Sequence, residues 1–170
     1  MKKIIGISVL LAVVCVVTAV ANDNFLSGYN IENLVRRTAL FGIISVGVTF
    51  VIVTGGIDLS IGSVVGLVGS LMAWLLTQKG WSVAGTLTLV LTVSIAIGLA
   101  HGLLITKLRL QPFVVTLCGL LLYRGLARYV TDDQSQGFGS SYDALRQIAI
   151  GQWQLPGTFA LPAPVFFLAG

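Results

Sequence analysis

Thr54-Gly55-Gly56-Ile57-Asp58-Leu59-Ser60-Ile61-Gly62-Ser63 is the stretch around which the chain is organised. Long apolar runs flank it on both sides, and Asp58 is the only acidic residue between Glu32 and Asp132. Two adjacent glycines stop a helix, because Gly has the most backbone freedom to lose on ordering. Asp58, Ser60 and Ser63 are suited to starting the next one. A short side-chain oxygen accepts from the free N–H groups of a first turn, and a carboxylate there complements the helix dipole. The sequence therefore predicts helix, break and helix within apolar surroundings. Two meanings fit such a break. It is a tight cytoplasmic turn with an Asp or Ser cap, or it is irregular backbone inside a bundle, bordering a polar pathway. A cap can also line a path, so the two overlap.

The composition decides the surroundings. Of 170 residues, 56% are hydrophobic and 9% charged, whereas a soluble domain carries about 25% charged residues. Mean hydropathy is +0.97. Such a chain cannot cover a water-facing surface, which makes it an integral membrane protein. Its net charge of +4 bears on orientation and lipid headgroups rather than on nucleic acid. Cys15 and Cys118 both fall in apolar runs without metal-ligand spacing. There is no G-x-x-x-x-G-K-[ST] phosphate loop, no Ser/His/Asp set and no His/Glu cluster, His101 being the single histidine. The chain is not expected to be an enzyme, to hydrolyse ATP itself, or to carry a cofactor or metal.

Outward from the break, the apolar runs predict an all-α, polytopic membrane bundle. Ile4–Ala21 follows Lys2 and Lys3, and its 18 residues reach about 27 Å at 1.5 Å each, close to a hydrocarbon core of about 30 Å. Ala19-Val20-Ala21 also has the small-x-small shape of a signal-peptidase site, but the run is long for a signal segment and further spans follow. Residues 22–33 are polar and predict a short loop with an amphipathic turn near Ile31 and Leu34. Span two then covers roughly 38–54, behind Arg36 and Arg37. Span three, about 61–76, carries Gly62, Gly66, Gly69 and Ser70 on one side, a pattern that lets helix backbones approach closely. Trp74 and Trp81 bracket the polar turn 78–80 like an interfacial belt. Span four, about 83–106, contains Gly98, Gly102 and His101, the last read mainly as a hydrogen-bonded packing residue.

Pro112 opens span five, about 112–131, where a first-turn proline costs little. Arg124 and Arg128 lie four apart on one face of it. A charged side chain at a bilayer centre costs about 2.5–3.5 kcal/mol on insertion scales, so both are expected either to snorkel to the interface or to serve a polar path. Residues 132–158 form the longest polar region, with a short helix expected over 142–150. An apolar run from Phe159 stops at Gly170, which leaves a sixth span unfinished. The expectation is five full spans plus that sixth, in a single transmembrane domain over 1–170, truncated from a longer chain. The basic ends favour Lys2, Lys3, Lys107 and Arg109 inside and the acidic 132–158 loop outside. Arg36, Arg37 and Lys79 count against this orientation.

Three segments resemble one known family. Phe41–Ser63, FGIISVGVTFVIVTGGIDLSIGS, closely resembles the membrane permease subunits of bacterial ABC importers for ribose, xylose, arabinose, galactose and related ligands such as autoinducer-2. Thr54–Ser63 matches their T-[GS]-G-I-D-L-S-[VI]-G-S segment. Gln111–Gln134 has their P-F-[IV]-x-T-L…R-G form through Pro112, Phe113, Thr116, Leu117, Arg124 and Gly125. Phe25–Ala39, with Asn30, Asn33 and Leu34, is the third segment. The resemblance covers nearly the whole chain. It implies a permease of about ten helices in the bacterial inner membrane, N-terminus cytoplasmic, paired with a second permease subunit as a homo- or heterodimer. It also implies cytoplasmic ATP-binding subunits and a periplasmic sugar-binding protein as partners, with the bilayer around it. The family's later cytoplasmic loop, which docks on the ATPase, has no counterpart in residues 1–170, as expected of a truncated chain.

Import of a small neutral sugar by alternating access is the function that follows. A neutral polyol needs hydroxyl, amide and backbone partners rather than ion pairs, and Thr54, Gly55, Gly56, Ser60 and Ser63 can supply them. Asp58 and Arg124 complete the set of pathway candidates. An ATP-independent secondary transporter or channel would also suit a broken helix with an intramembrane arginine. A helical membrane protein with an assembly role and no transport is the third possibility.

Overall fold

The computed structural model describes residues 2–139, together with 142, 143, 145, 147, 151–154, 160–162 and 164. Five helices carry the fold: α1 (Lys2–Ala21), α2 (Gly28–Val53), α3 (Ile61–Thr77), α4 (Val83–Thr106) and α5 (Pro112–Val130). Two three-residue strands, β1 (Gln152–Gln154) and β2 (Ala160–Pro162), pair antiparallel with Trp153 opposite Leu161. Four of the helices, α1, α2, α4 and α5, are long and apolar enough to cross a membrane. α3, at 17 residues, is apolar but shorter. The chain is a multi-pass, helical membrane protein.

The chain divides into two compact units. One comprises Met1–Ser45 and Asp143–Gly170, the other Val46–Tyr142. In the first unit, none of the Ile4–Ala21 side chains is buried within the protein, so this helix presents apolar groups on every side. α2 starts ten residues earlier than the sequence predicts, at Gly28 rather than near 38. The cause is local. Ser27 Oγ accepts from the N–H of Asn30 at 3.3 Å, and Asn30 Nδ2 donates to the Phe25 carbonyl at 2.7 Å. Glu32 and Arg36 then pair four residues apart along the new turn. Capping and an ion pair thus make helix out of a segment whose polarity alone suggests loop.

The second unit is built on α3. It packs most extensively against α5, then against α4. Its core includes Leu67, Ala73, Leu75 and Leu76 of α3, Val90 of α4, and Val115 and Tyr123 of α5. α4 is capped by Ser82, whose Oγ accepts from Gly85 N at 3.2 Å. α5 begins at Pro112, as expected. Where α3 ends, Lys79 Nζ lies 4.8 Å from the Trp74 ring, and Tyr142 Oη donates to the Leu76 carbonyl at 2.6 Å.

Of the short helix expected over 142–150, Asp143, Leu145 and Gln147 are helical and Tyr142 is not; the remaining positions lie outside the described residues. So does most of the apolar run 159–170. Of its described part, Ala160–Pro162 departs from the expected helix and is extended, in β2, whereas Pro164 is helical. Pro162 and Pro164 offer no N–H and have fixed φ, which disfavours helix before them.

Candidate functional site

The break between α2 and α3 is made by the last turn of one helix and a bridge of five residues. Thr54 N–H donates to Phe50 O, Gly55 N–H to Ile52 O and Gly56 N–H to Val51 O, so the carbonyls at the end of α2 are met by the chain folding back over them. Gly55 has φ +74°, the left-handed region that other residues enter at a cost. Gly56 is required by closeness instead: a Cβ there would lie 3.2 Å from Val51 Cγ1 and 3.3 Å from Val51 O. The two glycines therefore do separate jobs.

Asp58 and Ser60 then turn the chain into α3, though not as the sequence predicts. Ser60 occupies the N-cap position but makes no side-chain cap bond. Its N–H and its hydroxyl both donate to Oδ1 of Asp58, each at 2.7 Å. This is an Asx turn, in which a side chain replaces a backbone carbonyl two residues earlier. Ser63 does not cap either; its Oγ donates back to Ser60 O at 2.7 Å. Asp58 thus finds its partner in Ser60, and among the described residues no cation pairs with it. Ser60 is 1% exposed, so the carboxylate also satisfies a buried hydroxyl.

One further bond pins the bridge. Thr116 Oγ1, 2% exposed, lies 3.2 Å from the Ile57 carbonyl and 2.9 Å from its own helix carbonyl at Pro112. Thr116 carries part of the sequence resemblance, but its polarity within an apolar run is the signal that could have marked it as a contact residue.

Beyond the break, α3 and α5 enclose an open cleft of about 400 Å³. Ser63, Ser70 and the glycine stripe Gly62/Gly66 form the α3 wall, while Leu120, Arg124 and Arg128 stand on α5. The structure therefore brings Ser63 and Arg124 to one place. It leaves Thr54, Gly55, Gly56, Asp58 and Ser60 out of that lining: the Thr54 hydroxyl bonds Val51 O at 2.8 Å, and the other four shape the turn. The two arginines also part company. Arg128 donates through Nε and Nη2 to both oxygens of Asp133, at 2.6 and 2.9 Å, and this fork holds the Asp133 carboxyl below the usual carboxylate range. Among the described residues, no carboxylate meets Arg124. A 400 Å³ cleft is within the range of small-molecule sites. Its serine hydroxyls donate to Ser60 O and Gly66 O and keep lone pairs to accept, while the guanidinium supplies donors without a compensating acid.

Known proteins resemble this chain in sequence. Residues 30–159 match the family model described as branched-chain amino acid transport system / permease component. The chain is 38% identical over 139 residues to the inner membrane ABC transporter permease protein YjfF of Escherichia coli K12, covering 82% of this chain and 41% of that protein. It is 32% identical over 158 residues to the xylose transport system permease protein XylH of the same strain, covering 93% and 39%. Against the ribose import permease protein RbsC of Haemophilus influenzae it is 31% identical over 170 residues, covering 99% and 50%. The chain spans half the length, or less, of these curated relatives. No solved structure matches it. With a family match across three-quarters of its residues, helices of the required length and the glycine-aspartate break at the head of α3, the chain belongs to the family of branched-chain amino acid transport system / permease components.

Proposed function

We propose that this chain is the N-terminal part of the transmembrane subunit of an ABC importer that carries a small neutral sugar across the bacterial inner membrane. The observation that carries the proposal is the α3–α5 cleft, where Ser63, Ser70 and Arg124 line one space beside the broken helix. Its guanidinium donors and the acceptor lone pairs of its serine hydroxyls suit a polyhydroxylated solute, and the xylose and ribose permeases among the relatives support that solute class. The family description names amino acids. A free amino acid carries a carboxylate and an ammonium, and among the described residues the cleft offers no acid for the latter.

In this proposal all five helices cross the bilayer, within a single transmembrane permease domain. α3 reaches only about 25 Å at 1.5 Å per residue, and the bridge 56–60 supplies the rest of the crossing. Such non-helical backbone is stable at depth because it is bonded within the protein, here by Ser60 and Thr116. The N-terminus is cytoplasmic, and the Asp132–Asp133 end of α5 faces outward. A second permease subunit, ATP-binding subunits and a periplasmic sugar-binding protein complete the assembly. ATP-driven movement of the helices exposes the cleft to one side and then the other.

The test is uptake of radiolabelled D-ribose and D-xylose into right-side-out membrane vesicles expressing the complete transporter. Uptake that requires both internal ATP and the binding protein supports the proposal. Uptake driven by a proton or sodium gradient without ATP would overturn it.

A further inference from the structure

α5 presents two neighbouring stripes. Leu120, Arg124, Ala127 and Arg128 face the cleft with α3. Gly119 and Tyr123, one residue earlier in each turn, meet His101 of α4. Tyr123 is buried, and its Oη lies 2.9 Å from His101 Nε2. The two rings are 5.5 Å apart at 38°. Gly119 makes room for this contact: a Cβ there would lie 2.7 Å from His101 Nε2 and 2.8 Å from Cε1. Three residues from two helices therefore form one fitted unit, and no atom of it lines the cleft.

We propose that His101 and Tyr123 are positioning residues for transport, a latch that fixes the rotation of α5 and so holds Arg124 and Leu120 in the cleft. The inference rests on the cleft being the transport site. Residues on adjacent stripes of a helix turn together, since each side chain leaves the axis at a fixed angle. Anchoring Tyr123 to α4 thus sets where Arg124 points. A second anchor lies one turn before Gly119, where Thr116 bonds the Ile57 carbonyl of the break. A single hydrogen bond adds little to stability in a packed bundle. Setting the angle of a charged side chain is a different service, and one that deletion of a single atom can expose.

Two measurements on the complete transporter test this. Tyr123→Phe keeps the ring and removes the hydroxyl. It should lower the maximal rate of D-ribose or D-xylose uptake by about tenfold at unchanged membrane abundance. His101→Ala should do the same. His101→Gln, whose amide reaches the place of Nε2, should restore most of the rate, whereas His101→Asn should not. The double variant His101→Ala/Tyr123→Phe should be no slower than the slower single, since both remove one contact. Full rate in Tyr123→Phe, or fully additive losses, would overturn the latch. The second measurement needs no substrate. With Cys15 and Cys118 replaced by Ser, the pair Ser63→Cys and Leu120→Cys is cross-linked across the cleft by a short bis-maleimide. Tyr123→Phe should slow that reaction several-fold, and an unchanged rate would also overturn the latch. If the wild type carries neither sugar, the proposed function fails, while the cross-link still reports on the latch.

Discussion

Oδ1 of Asp58 accepts two hydrogen bonds from one residue, the N–H and the hydroxyl of Ser60, each at 2.7 Å. Both donors sit at the head of α3, and Ser60 is among the most buried residues of the protein. Asp58→Ala leaves the two without an acceptor, at a cost of about 1–3 kcal/mol for buried unsatisfied groups. Asp58→Asn keeps an oxygen in the same place and should fold nearly as well. Thermal unfolding of the purified, detergent-solubilised protein should rank wild type, Asn, Ala in falling order. If Asn and Ala fall together, the negative charge matters more than the acceptor.

Gly55 and Gly56 make a sharper contrast. At φ +74°, Gly55→Ala should cost about 1–2 kcal/mol from left-handed backbone alone, because nothing lies within 4 Å of the added Cβ. Gly55→Asn should be milder, since Asn tolerates that region, and Gly55→Val harsher. At Gly56 the penalty is contact with Val51. Val51→Ala should therefore relieve part of the Gly56→Ala defect and none of the Gly55→Ala defect. Membrane abundance and melting temperature of the four combinations read this directly, and equal relief at both glycines would refute the division of labour.

The end of α5 predicts a pH response. Arg128 holds the Asp133 carboxyl below its ordinary range, so the folded state binds that proton less readily than the unfolded chain. The pair's contribution is then complete above the ordinary carboxylate value of about 4 and is lost as pH falls through the depressed folded value. Both side chains are largely exposed, so the effect is small. Asp133→Asn should differ slightly from wild type in melting temperature at neutral pH, and the difference should shrink on acidification below about pH 4. A difference that grew on acidification would contradict the sign.

The helices were legible because apolar runs of 16–24 residues have few other solutions, and α3, α4 and α5 begin and end within a residue or so of where hydropathy puts them. The head of α2 was not. Whether Gly28–Arg37 is loop or helix depends on the Ser27 cap and the Glu32–Arg36 pair, which composition averages away. The break was legible as a break, since Gly-Gly has no other use between two apolar helices. What each residue does there was less so. Asp58, Ser60 and Ser63 all have N-cap chemistry, and only geometry decides that they bond to one another instead. The Ser63–Arg124 meeting spans sixty-one positions, and no local pattern encodes it. Nor could a lone histidine announce Tyr123, because the two meet only when α4 lies against Gly119.

The glycine stripe of α3 tests whether small residues here serve packing or the proposed transport path. Small residues on a membrane helix ordinarily serve close helix contact, yet a Cβ at Gly62, Gly66 or Gly69 would meet nothing within 4 Å. Within this chain, then, Gly66 does not hold α3 against a neighbour, and it lines the open space between α3 and α5. Gly66→Leu should leave folding of the α3–α5 pair intact and fill the space beside Ser63 and Arg124. Uptake should fall by at least about tenfold, with membrane abundance near wild type, as expected when a bulky group blocks a site that binding requires. Gly66→Ala, one methyl group, should be much milder. Should Gly66→Leu instead remove the protein from the membrane, or split it from its partner subunits, the stripe would be an assembly surface and the solute would pass elsewhere.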